Sequence, residues 1–333
     1  MNVLAIENLS LDLASAHGAR RVIHDVTLTV GEGEAVGLVG ESGAGKSMTA
    51  RAVIRLVPDG ARLGGDITFR GTSVLAMDAS AIRQYRLHDV AMIFQDPRAA
   101  INPVRRIGDF LVEALLERGE SETTAISVVS DLLTSVGITD VARRLRQYPH
   151  ELSGGLLQRV MIAAALAIEP KLLLADEPTT ALDVTTQSDV MVNLDEARRR
   201  RGLAMIFVTH DLELASAVCD RIAVMYAGVL VEDSPAAGLH HGALHPYTAA
   251  LLASRPSVTS RERRLVAIPG RPLSAYEVGE GCVFVERCPF AEERCCTLRP
   301  ELRDVGAGRV ACHRSEELAG QLDADLMRAA RRD

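Results

Sequence analysis

An α/β fold around a buried parallel sheet is predicted by three stretches of the sequence. Ala35-Val36-Gly37-Leu38-Val39 is a short apolar run, followed by Gly40-Glu41-Ser42-Gly43-Ala44-Gly45-Lys46-Ser47 and a helix-like stretch from Met48 to Leu56 that stops before Pro58. Lys171-Leu172-Leu173-Leu174-Ala175 and Met205-Ile206-Phe207-Val208-Thr209 are two more continuous apolar runs, the pattern of strands buried on both faces.

The stretch Gly40–Ser47 reads G-x-x-x-x-G-K-S, a phosphate-binding loop in its strand–loop–helix setting. Its glycines let successive N–H groups turn toward phosphate oxygens, and the helix N-terminus adds partial positive charge. Gly40 through Met48 are therefore the candidate nucleotide-binding set. Within it Lys46 reaches the β- and γ-phosphates, and the Ser47 hydroxyl binds Mg²⁺. Lys46 and Lys171 are the only lysines among 333 residues, so a lysine at this position is not background.

Composition bounds the rest. Apolar residues at 47% suffice for a sizeable core, and aromatics at 3% with no Trp argue against base stacking. A net charge of −7 gives no global field toward nucleic acid or anionic lipid. The run Arg198–Arg201 reads as the solvated C-terminal end of a helix, where cations suit the dipole; a nucleic-acid patch is the other reading. No signal peptide and no run of about 18 apolar residues is visible. A soluble, cytosolic chain is expected, in which the six cysteines do not form structural disulfides.

Taken in order, residues 3–13 and 22–30 alternate apolar and polar and read as strands of a half-buried antiparallel sheet. Ile67–Phe69 before Gly71 is another strand and turn, and Val90–Phe94 is a buried strand ending at Gln95-Asp96-Pro97. From about Ile107 to Ile168 the period is helical. Leu111, Val112, Leu115 and Leu116 share one face; Val128, Val129, Leu132, Leu133 and Val136 share another, closed by Gly137. Ser153 is placed to N-cap the apolar helix Leu156–Ile168, stopped by Pro170. Ile222–Tyr226 and Val229–Val231 flank Ala227-Gly228 as a hairpin. Composition shifts at a boundary near 235–255, and 316–333 reads as a charged, poorly anchored helix or tail.

Two more stretches carry chemistry. Asp176 ends a buried strand, where a carboxylate can hold Mg²⁺ through water, and Glu177 stands where a carboxylate can polarise an attacking water. Leu152-Ser153-Gly154-Gly155 sets two glycines at a helix start, offering bare N–H groups to an anion.

At this point the sequence resembles the ATP-binding cassette (ABC) ATPases. Leu152–Gln158 is similar to that family's signature L-S-G-G-x-x-Q, although the family usually has Arg or Lys near Leu157. The resemblance implies that Ser153, Gly154 and Gly155 bind the γ-phosphate held by a partner subunit. It makes Gln95 the Q-loop glutamine (a Mg²⁺ ligand and catalytic residue), Asp183 the D-loop aspartate and His210 the switch histidine. His17 stands where the family usually stacks an aromatic on adenine, which implies looser nucleotide selectivity. Gln95-Asp96-Pro97 with Ile101-Asn102-Pro103, the run Ala175–Thr185, and His245-Pro246-Tyr247-Thr248 resemble the dipeptide, oligopeptide and nickel importer branch.

Cys282, Cys288, Cys295 and Cys312 are spaced x5, x6 and x16. Structural zinc sites usually use x2 to x4 pairs. The wider gaps suit a [4Fe–4S] cluster, which the resemblance also implies; zinc and no metal are the alternatives, and Cys296 competes with Cys295 as ligand. Cys219 reads as simply buried.

The resemblance implies an ABC cassette at 1–240: a RecA-like core, an antiparallel β arm and a helical subdomain at about 98–165. A small Cys-rich extension at 241–315 and a tail at 316–333 follow. It implies an ATPase, with catalytic Glu177, His210 and Gln95, powering import of di- or oligopeptides. Nickel, glutathione or another small solute is the nearest alternative, and a soluble non-transport ABC ATPase a remoter one. The implied partners are a second, paralogous ATP-binding subunit, two membrane permeases and, indirectly, a solute-binding protein, with no nucleic acid. The implied location is peripheral, on the cytoplasmic face of the membrane.

Overall fold

The structure is a computed structural model that describes residues 2–15, 18–179, 184–254 and 268–322. In chain order the elements are β1 (Asn2–Ser15), β2 (Gly18–Gly31), β3 (Ala35–Val39), α1 (Lys46–Val53), β4 (Arg62–Phe69), β5 (Thr72–Ser73), α2 (Ala79–His88), β6 (Val90–Ile93), α3 (Pro97–Ala100), α4 (Ile107–Glu117), α5 (Glu122–Ser135), α6 (Val141–Arg144) and α7 (Gly154–Ala167). Then come β7 (Leu172–Asp176), α8 (Val184–Arg201), β8 (Ala204–Thr209), α9 (Leu212–Val218), β9 (Arg221–Tyr226), β10 (Val229–Pro235), α10 (Leu239–Gly242), α11 (Pro246–Ala253), α12 (Glu293–Thr297), β11 (Arg303–Val305) and β12 (Gly308–Val310). The chain divides into two compact units, each made of separate stretches.

The first unit comprises Met1–Leu4, Val30–Glu34 and Phe69–Val208. Its sheet runs β8-β7-β6, parallel throughout, with Leu172 opposite both Val90 and Ala204. The side chains of Leu172–Asp176 and Ala204–Val208 are completely buried, because helices cover both faces of such a sheet. Beside it α4, α5 and α7 pack together. Ile107, Leu111, Val112 and Leu115 of α4 face Ala125, Val129 and Leu133 of α5, and α7 buries nine of its residues, Leu157 among them. Ser121 and Ser153 cap α5 and α7 by accepting from the amides of Thr124 and Leu156. Arg159 continues the register by donating to the carbonyls of Val136 and Gly137, the end of α5.

Several expectations change here. Leu116 is 42% exposed, because its neighbours Leu111, Val112 and Leu115 already fill the face. The helix α2 escaped the sequence reading; it is capped by Asp78 and buries only Ile82 and Tyr85, too few apolar positions to mark a period. Arg198 is buried, not solvated: it donates to the Gly33 carbonyl and pairs with Asp195. Arg199 and Arg200 keep to the solvated face, paired one turn back with Asp195 and Glu196.

The second unit comprises Ala5–Thr29, Ala35–Thr68 and Thr209–Asp333. One sheet runs β2-β1-β4, and another runs β11-β12-β10-β9-β3. The strand before the phosphate loop, β3, is parallel to β9, which forms the expected hairpin with β10. The C-terminal stretch adds two strands to this sheet, β12 pairing with β10. Asp233 on β10, its side chain 1% exposed, accepts from Arg221 at 2.6 Å and from Arg309. Those arginines also donate to the carbonyls of Thr29 and Thr27. Residues 316–321 form turns, and the rest of the expected tail, 323–333, lies outside the described residues. Leu318 and Leu322 are buried, and Glu316 and Glu317 pair with Arg303 and Arg314. Cys219 is buried as expected.

Candidate functional site

In the second unit the phosphate loop is shaped by its own backbone. Gly43 and Gly45 lie at φ +82° and +96°, the left-handed region that a side chain resists. Gly43 faces open space, whereas a Cβ at Gly40 would run into the Met225 carbonyl. The turn is closed by Ala44 N–H to the Glu41 carbonyl and by Gly228 N–H to the Ala44 carbonyl. Helix α1 then starts at Lys46 with its amide end toward the loop. Lys46 is 6% exposed, and its Nζ donates to the carbonyls of Gly40 at 2.8 Å and Glu41 at 3.0 Å. The ammonium is thus held inside the loop. Ser42 is exposed, Ser47 and Met48 are half-buried, and the Glu41 carboxylate is taken by Arg287. Exposed His210 follows β8, next to Asp211, which caps α9.

In the first unit Asp176 is buried at the end of β7. The next residue, Glu177, takes φ +46°, a strained conformation for a residue with a Cβ. It is pinned by its N–H to the Val208 carbonyl at 2.9 Å. The turn brings its carboxylate to exposed Gln95, whose Nε2 donates to Glu177 Oε2 at 3.1 Å. Two residues 82 positions apart, each expected to be catalytic, therefore touch. Gly154 and Gly155 open α7 behind exposed Ser153, and their amides belong to the free N-terminal set of that helix. Gln158 lies on α7 with no exposure and no partner for either amide atom among the described residues. Asp183 and His17 lie outside the described residues.

The cysteines form a separate constellation in the second unit. Cys282, Cys288, Cys295 and Cys312 border one cavity of about 20 Å³. Cys295 is buried and faces it; Cys296 is exposed and directs its sulfur to the Glu292 carbonyl. Burial pushes the Cys282 thiol up to about 12 and Cys288 to about 11, and raises Cys312. Cys312 Sγ also accepts the Arg314 N–H at 3.4 Å, and the nearby Phe284 and Phe290 amides offset part of the rise at Cys282 and Cys288. Such amides favour thiolate over thiol. The cavity wall includes His245, 1% exposed and pushed down to about 3 by burial, hence neutral. Its Nδ1 accepts from the Tyr247 amide, which puts the ring proton on Nε2; Nε2 has no partner among the described residues. Among those residues no group of three or more His, Cys, Asp or Glu is arranged to hold a metal ion.

Comparison with known proteins bears on both constellations. The ABC transporter family model matches residues 23–180, and the model for the oligopeptide/dipeptide transporter C-terminal region matches 231–295. The oligopeptide transport ATP-binding protein OppD of Salmonella typhimurium is 40% identical over 317 residues, 95% of this chain and 94% of that one. The chain belongs to the ATP-binding proteins of the ABC transporter family. Within that family the dipeptide transport ATP-binding protein DppD of Haemophilus influenzae is also 40% identical, over 94% of this chain and 96% of its own. Among solved structures, the dimeric ATP-binding cassette MJ0796 bound to ADP and Pi matches with a TM-score of 0.65. It is 25% identical and covers 71% of this chain and 99% of its own. The ABC cassette fold expected from the motifs is therefore the fold observed. No helix among the described residues is long and apolar enough to cross a membrane.

Proposed function

We propose that this chain is the ATP-hydrolysing subunit of an ABC importer of di- or oligopeptides. One observation carries the reading: about 40% identity to OppD and DppD runs through the cassette and on into the C-terminal region typical of peptide transporters. The geometry supports the chemistry. Lys46 and the amides at the start of α1 hold the phosphates of ATP. Ser47, Asp176 and Gln95 are the residues that would hold Mg²⁺, which would supply charge neutralisation at the phosphate oxygens. Glu177, steadied by Gln95, orients water for in-line attack, and His210 donates to the γ-phosphate. Ser153, Gly154 and Gly155 of a second ATP-binding subunit close over that phosphate, so two cassettes are needed for one complete site. Closure and reopening drive two membrane permeases from the cytoplasmic face, and an external solute-binding protein selects the peptide.

The test is purification of the full-length chain from membranes. Two permeases should accompany it, and peptide-loaded binding protein should stimulate ATP hydrolysis by the assembly. A ribosome-bound pool without permeases would reject the importer reading.

The four cysteines bordering the small cavity are the ligand set we infer for a [4Fe–4S] cluster, which would have to widen a space of about 20 Å³. Four cysteines line it, Cys312 carries an amide donor, and the His245 Nε2–H needs an acceptor. A cluster would supply charge to reverse the upward pull of burial on the thiols. Its place is structural, stapling a segment with few apolar side chains of its own. Anaerobically purified protein is expected to be brown and to contain about four irons per chain. Cys288→Ser should remove both colour and iron. Stoichiometric zinc without iron would overturn this assignment.

A further inference from the structure

Glu41 occupies a position that the phosphate-loop pattern leaves open, yet it is held from three sides. Its N–H donates to Tyr247 Oη at 3.0 Å. Its carboxylate accepts from Arg287 twice, Nη1 to Oε2 at 2.8 Å and Nη2 to Oε1 at 3.2 Å. Its carbonyl accepts from Lys46 Nζ at 3.0 Å. Arg287 is fixed in turn. Its side chain is 4% exposed, its Nε donates to the Pro269 carbonyl at 2.8 Å, and Nη1 donates to Tyr226 Oη at 3.2 Å. The guanidinium lies over the rings of Tyr226 and Phe284. Tyr226, Tyr247 and Phe284 pack on one another, Phe284 also borders the cysteine cavity, and Arg287 directly precedes Cys288.

A forked, two-bond pair is the geometry that fixes orientation as well as distance. Here it fixes the peptide whose carbonyl stores the Lys46 ammonium. That ammonium, which has three donors, also has to reach a phosphate. A loop held from behind keeps its shape as the ligand enters, whereas a loose one would have to be ordered by the ligand.

We propose that Arg287 is a positioning residue for ATP binding: through Glu41 it holds the phosphate loop in its receptive shape. Nucleotide affinity thereby depends on the C-terminal segment that carries Cys288. The inference rests on the nucleotide reading of Gly40–Ser47 and is independent of what fills the cysteine cavity.

The experiment is a calorimetric titration of full-length protein with a non-hydrolysable MgATP analogue, alongside steady-state ATP hydrolysis. Arg287→Ala should weaken binding roughly tenfold, within the usual coupling between contacting residues, and leave kcat at saturating ATP unchanged. Arg287→Lys, which keeps the charge and loses the fork, should fall between. Glu41→Ala added to Arg287→Ala should cost little more, and the exchange Glu41→Arg with Arg287→Glu should recover part of the affinity. If Arg287→Ala fails to fold, the pair Glu41→Gln with Arg287→Met removes both charges and should show the same loss of affinity. A role in stability alone would lower Tm and leave the affinity of the folded protein unchanged. Wild-type affinity in folded Arg287→Ala or in the neutral pair, or additive losses from Glu41→Ala and Arg287→Ala, would overturn the proposal. Failure of the wild-type protein to bind the analogue would remove the nucleotide reading and this inference with it.

Discussion

Glu177→Gln, introduced at both sites of the assembled ATPase, is expected to slow turnover by about 10²–10³-fold, the usual cost of losing one charged group that acts on the transition state. Binding of MgATP should survive. The substitution keeps the shape of the side chain and can keep a hydrogen bond to Gln95, now amide to amide, so the turn at Glu177 has no reason to change. What is lost is the negative charge that polarises water. Phosphate release and ATP retention, measured on the same sample, separate the two steps. Turnover within a few-fold of wild type would reject Glu177 as the carboxylate that acts on water.

The second large effect concerns stability. Asp233→Ala should destabilise the protein by about 3 kcal/mol, the low end for breaking a buried ion pair. The low end applies because Arg221 and Arg309 are 20% and 29% exposed and can recover some hydration. This carboxylate joins β9, β10 and β12 through side chains that also reach the carbonyls of Thr27 and Thr29 on β2. Asp233→Asn should lose less, since its amide oxygen still accepts a hydrogen bond. Urea unfolding monitored by far-UV circular dichroism measures both; equal stability of Asp233→Ala and wild type would show that the three-way pair contributes nothing.

Much of the candidate site was legible because its signals are local. Strand, glycine loop and lysine are contiguous, and continuous apolar runs correctly mark β7 and β8 as buried on both faces. The Ser153 cap and the glycine stop after α5 also stand where local chemistry puts them. What stayed hidden depends on distant partners. Nothing around Arg198 distinguishes it from Arg199, yet one is buried on a carbonyl and the other is solvated. The grip of Arg287 on Glu41 joins residues 246 apart and leaves no periodic trace. Likewise, three cysteine spacings suggest a shared ligand, but only the fold shows that Cys295 borders the cavity and Cys296 is exposed.

The pairing of β3 with β9 has a consequence for synthesis. The amide of Ala35, at the start of the strand that leads to the phosphate loop, is satisfied by Asp220, 185 residues later. At ordinary rates of translation the ribosome needs roughly 10 to 40 seconds to cross that distance. Until it does, the nascent chain carries the whole nucleotide-binding sequence without the strand that supports it. Until β9 has been made, the chain therefore has the letters of the loop without the strand that pairs with β3.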